Sequence, residues 1–71
     1  MNLVSSKGCA ICFKVKKALE KKGVAYNTLT LDDAESERII KESKLSSMPI
    51  LEADNGEFYA GNDAYKYVET L

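Results

Sequence analysis

Cys9 and Cys12 stand three positions apart, with Ala10 and Ile11 between them. They are the only two cysteines, and the chain has no histidine. Without histidine there is no Cys–His nucleophile pair, no Ser-His-Asp triad and no His-containing metal site within the chain. Four uses of the pair remain. Zinc needs about four ligands, so a metal site would have to bridge two copies. A purely structural disulfide across so short a loop constrains the unfolded chain little. Two unrelated thiols would simply fill core space. The fourth use is dithiol–disulfide exchange, and the position of the pair favours it.

That position is the junction of a turn and a helix. Ser6-Lys7-Gly8 reads as a turn. From Cys9 onward Ile11, Cys12, Val15, Ala18 and Leu19 recur at helical spacing, and Lys14, Lys16, Lys17, Lys21 and Lys22 take the rest of the surface. Cys9 is thus expected at a helix N-terminus, where unpaired N–H groups and the positive dipole end favour a thiolate. Lys7 adds a nearby cation. Cys12, one turn further in and facing the core, is placed to resolve a mixed disulfide on Cys9. The helix lysines read as its solvated face, able to steer an anionic partner.

The other elements must hold that junction. Asn2–Ser5 reads as a short strand before the turn. Gly23 stops the first helix, with cations in its last turn. Val24–Leu31 has strand character, and Asp32 and Asp33 offer N-caps for a second helix through about Ser43. Asp32 with Glu35 has capping-box spacing, and Ile39 and Ile40 face inward, with Leu45 just beyond. Pro49-Ile50-Leu51 begins a third strand. Asn55-Gly56 signals a hairpin, with Glu57-Phe58-Tyr59 returning. Gly61-Asn62-Asp63 precedes a last helix marked by Ala64, Tyr67, Val68 and Leu71. The tyrosines read as packing residues. The order is β-α-β-α-β-β-α, an α/β fold with a mixed four-stranded sheet flanked by helices.

With 71 residues the chain is expected to be a single domain, 1–71, and a monomer. Ten basic residues balance eleven acidic ones, for a net charge of -1. There is no basic excess for nucleic acid, and no apolar run long enough for a membrane helix. Met1–Val4 lacks the basic and apolar regions of a signal peptide, so a cytoplasmic protein is expected.

Four stretches, Ser6-Lys7-Gly8-Cys9-Ala10-Ile11-Cys12, Leu19–Val24, Ser47-Met48-Pro49-Ile50 and Ala60-Gly61-Asn62-Asp63, follow one another as they do in the glutaredoxins of the thioredoxin superfamily. The resemblance covers nearly the whole chain. It implies a thioredoxin-like fold, a cis Pro49, and a Met48 backbone that receives the bound disulfide. It also implies that Gly61, Asn62 and Asp63 hold the γ-glutamyl end of glutathione, with Asp63 as the acid and Lys7 and Ile11 in the same site. The chain departs from the family where Ala10 and Ile11 replace Pro and Tyr, in a turn one residue shorter, at Met48 in place of Val, and at Ala60 in place of the first glycine.

The expected activity is reduction of protein or glutathione mixed disulfides, with Cys9 as nucleophile and Cys12 as resolving thiol. No cofactor or metal is expected to be bound. Glutathione is the expected co-substrate, with a thioredoxin reductase as the other donor, and the protein partner is one that carries a disulfide. The alternative is a module of the same fold that binds a thiol or peptide without turnover.

Overall fold

The computed structural model describes residues 1–71. The elements run β1 (Asn2–Val4), α1 (Ala10–Lys22), β2 (Asn27–Leu29), α2 (Ala34–Ser43), β3 (Ile50–Glu52), β4 (Phe58–Ala60) and α3 (Asn62–Glu69). The sheet order is β2-β1-β3-β4. β1 and β2 are parallel, and the other two pairings are antiparallel. This is the mixed four-stranded sheet of a thioredoxin-like fold.

Alternation along two central strands divides the core. Leu3 pairs with Leu51, and Val4 with Ile50. Because successive side chains point to opposite faces, Leu3 and Leu51 join Val15 and Leu19 of α1 and Ala64 and Val68 of α3. Val4 and Ile50 meet Ile39 of α2 on the other face. The sheet is therefore covered on both sides, which is why its central strands read as unbroken apolar pairs. All four tyrosines pack half-buried around the α1–α3 layer, and Tyr59 stacks on Tyr67 with ring centroids 4.2 Å apart.

α1 ends where the sequence suggests. Gly23 takes the left-handed conformation at φ 71°, and its N–H and that of Val24 donate to the carbonyls of Glu20 and Leu19. These bonds satisfy carbonyls that the helix leaves open. Val24 is thereby held in the cap, which shortens β2 to three residues in place of the longer strand expected from Val24 to Leu31.

Other expectations are also corrected. The Asp32–Glu35 capping box does not form. Asp33 is the N-cap residue of α2, but its carboxylate turns back to accept from the Thr30 N–H at 2.7 Å. That contact ends β2, and Leu31 lies exposed. The hairpin turn spans Ala53–Gly56, with the Gly56 N–H donating to Ala53, so β4 starts at Phe58, one residue late. β1 starts at Asn2 as expected but stops one residue short of Ser5, and β3 starts one residue after the expected Pro49. Leu71 lies past the end of α3 and is exposed.

Candidate functional site

The register gathers the candidate residues at one end of the sheet. Extending the β1–β3 pairing one step beyond Val4–Ile50 sets Ser5 opposite Pro49, and the turn to Cys9 leaves from there. Extending β3–β4 beyond Ile50–Ala60 sets Gly61 opposite Pro49, and the Gly61 N–H donates to the Pro49 carbonyl at 2.9 Å. The Cys9 turn, Met48–Pro49 and the start of α3 therefore share one edge. The Met48–Pro49 peptide bond is cis.

Cys9 is the N-cap residue of α1. Its extended backbone turns the chain into the helix, and its carbonyl accepts the first helical bond, from Phe13 N–H at 3.2 Å. The Cys9 Sγ accepts from the Cys12 N–H at 3.1 Å. A sulfur here does the work usually done by a serine or aspartate oxygen: it satisfies one of the helix's open N–H groups. The first turn of α1 carries no acidic residue, so no carboxylate opposes negative charge on this sulfur. Cys9 is half-buried, whereas Cys12 is only 2% exposed. The two are joined as a disulfide, with Cα atoms 5.2 Å apart.

The remaining candidates fall into two groups. Pro49 and Gly61 are buried, and Met48 is half-buried, packed against the Val4–Ile39–Ile50 cluster. Ile11 is half-buried against the α1–α3 layer. Lys7, Asn62 and Asp63 are exposed. Gly61 sits at φ 58° and ψ -131°, a backbone region that only glycine adopts without strain. That conformation lets the chain leave β4, bond Pro49 and enter α3 at once.

Two grooves open beside this end, and the cysteines line neither. One, of about 570 Å³, runs between α1 and α3 and includes Phe13 and Asn62. The other, of about 430 Å³, lies over β4 and includes Ala60, Asp63 and Tyr67. Asn62 and Asp63, neighbours in sequence, thus face different grooves. Sequence reasoning missed the first groove, although the Lys14, Lys17, Lys21 spacing on one side of a helix was its available signal.

No curated protein sequence matches the chain. The glutaredoxin family model matches residues 2–58. That stretch includes both cysteines and Met48–Pro49, and ends before Ala60–Asp63. With the Cys-x-x-Cys at the start of α1 and the mixed sheet behind it, the chain belongs to the glutaredoxin family and is a glutaredoxin-like thiol–disulfide oxidoreductase.

Proposed function

We propose that the protein reduces protein or glutathione mixed disulfides, with Cys9 as the attacking thiolate and Cys12 as the resolving thiol. The observation that carries this reading is the Cys12 N–H donating to the Cys9 sulfur at the N-cap. A hydrogen bond to the charged form of a group favours that form, and the dipole end adds to it.

The exchange balances as follows. The Cys9 thiolate attacks one sulfur of the substrate disulfide. The substrate S–S bond breaks, and its other sulfur leaves as a thiolate that takes a proton from water. Cys12 gives up its proton and attacks the Cys9 sulfur, which releases the second substrate thiol. Two electrons have passed to the substrate, and the enzyme holds the Cys9–Cys12 disulfide. One glutathione then attacks the Cys9 sulfur and frees Cys12. A second glutathione attacks the sulfur of the bound one, leaving oxidised glutathione and a reduced enzyme.

In this reading the Met48 backbone beside Pro49 receives the incoming sulfur partner, and Lys7, Ile11, Gly61, Asn62 and Asp63 bind glutathione. The meeting of the Cys9 turn, Met48–Pro49 and Gly61 at one end of the sheet supports it, while Asn62 and Asp63 open onto different grooves. Turnover of a low-molecular-weight disulfide with glutathione and its reductase, set against a thioredoxin reductase system, is the test. Turnover should be faster with glutathione. Turnover only with thioredoxin reductase would replace the donor, and no turnover with either would leave a binding module.

A further inference from the structure

The groove between α1 and α3 carries charge that the exchange chemistry leaves unused. Lys14, Lys17 and Lys21 line it at helical spacing, with Ala18 on its floor and Tyr65 across from them on α3. From Lys14 to Lys21 the helix rises about 10 Å. None of the three pairs with a carboxylate: all four salt bridges of the protein belong to Arg38 or to the Met1 ammonium. Lys22 closes one end by donating to the Glu69 carbonyl at 3.1 Å. Glu69, the one acid in the groove's lining, holds the Tyr65 phenol above its ordinary range.

The charge is segregated along the chain. Residues 1–24 hold six lysines and one glutamate, while residues 25–71 hold four cations and ten acids. The balanced net charge of -1 therefore hides a basic helix. Phe13 stands at the cysteine end of the groove, next in sequence to Cys12, and is 61% exposed, with the Lys17 ammonium 5.3 Å from its ring centroid. An exposed aromatic ring beside a redox cysteine, followed by a row of lysines without carboxylate partners, fits a chain with an apolar residue near its disulfide and acids beyond it. An extended segment rises about 3.3 Å per residue, so the lysine row spans about three residues.

We propose that the α1–α3 groove is the docking track for an acidic segment, about three Asp or Glu residues long, that flanks the disulfide of the protein substrate. The proposal rests on the exchange reading above and names the class of partner for it. Nucleic acid fits less well, because the lysines of one short helix on a molecule of net charge -1 give an isolated patch and no continuous basic face.

Three peptides carrying the same disulfide, flanked by Glu-Glu-Glu, Gln-Gln-Gln or Lys-Lys-Lys, test this. The rate at which each oxidises the reduced protein is read by acid quench and mass spectrometry. At low ionic strength the Glu peptide should react about tenfold faster than the Gln peptide, and the Lys peptide slowest. The Glu advantage should fade in roughly 0.5 M salt, where the screening length is only a few ångström. Combining Lys14→Gln, Lys17→Gln and Lys21→Gln should bring the Glu-to-Gln rate ratio close to one. The salt series on the unaltered protein tests the same point without any substitution. Equal Glu and Gln rates in the unaltered protein would overturn the proposal, as would a ratio that survives the triple substitution. So would stronger competition by a short single-stranded oligonucleotide than by a disulfide-free Glu peptide. Failure of all three peptides to oxidise the reduced protein would instead sink the exchange reading.

Discussion

At the scale of single residues, the contrast between the two sulfurs decides the order of events. Cys9 is half-buried and accepts an amide hydrogen, while Cys12 lies in the core layer at 2% exposure. Burial in apolar surroundings disfavours a thiolate, and a helix N-terminus favours one. After reduction, iodoacetamide near neutral pH should therefore modify Cys9 well before Cys12, as read by peptide mass spectrometry. Equal labelling would remove the case for Cys9 as nucleophile. On the proposed mechanism Cys12→Ser should keep activity on glutathione mixed disulfides, because free glutathione can resolve the intermediate, whereas Cys9→Ser should lose it. Asp63 is exposed at the start of α3, so its contact with a bound amino group would be screened. Asp63→Ala should raise the glutathione KM only several-fold, about 1 kcal/mol or less. An unchanged KM in a folded variant would place glutathione elsewhere.

At the scale of elements, α1 does two jobs, and they can be separated by substitution. Its N-terminus holds the sulfurs, while Val15 and Leu19 anchor it to the sheet. Leu19→Ala removes a fully buried side chain and should cost about 2–5 kcal/mol in urea unfolding. In so small a domain much of the protein would then be unfolded. Gly61→Ala meets no steric clash but must hold φ at 58°. It should cost about 1–3 kcal/mol through backbone strain and loosen the Pro49 contact. What the sequence revealed follows the same division. α1 was legible from end to end, because its apolar period, its cysteine start and its Gly23 stop agree. β2 was not, because its length is set by the Val24 cap bond and by Asp33 folding back on Thr30. Both contacts join residues that local pattern assigns to different elements. The Cys9–Cys12 pair was legible from spacing and the cis Met48–Pro49 bond only through family resemblance, and the roles proposed for Met48 and Asp63 rest on that resemblance. Only the strand register brings those segments together.

At the scale of the whole molecule, one polar chain ties α2 to the sheet. Arg38 donates to Glu35, Glu42 and Glu52, and Glu52 also accepts from Asn2, which in turn accepts from Asn27 on β2. Arg38, with Asn2 behind it, lowers the Glu52 carboxyl from its ordinary value of 4.5. A carboxyl depressed in the folded state contributes stability above its unfolded value, and loses it as the pH falls through the folded one. The melting temperature should therefore drop as the pH is lowered below about 4.5. Glu52→Gln should flatten that acid limb and lower stability at neutral pH, as differential scanning calorimetry from pH 7 to 3 would show. An acid limb of undiminished steepness in Glu52→Gln would assign it to other carboxyls.

β3 runs from the cysteine end at Ile50 to Glu52, and the Ala53–Gly56 turn hangs from the far end of the sheet. Asp54, Asn55 and Gly56 are all exposed. Exposed loop tips accept inserted sequence most readily, and this one is the sheet's length away from the sulfurs. A fluorescent label, an affinity tag or a whole fused domain spliced in at Asn55 would ride on the pole opposite the reacting edge. The protein offers, in that turn, a handle by which it could be tethered to a surface or built into a redox sensor with Cys9 still facing outward.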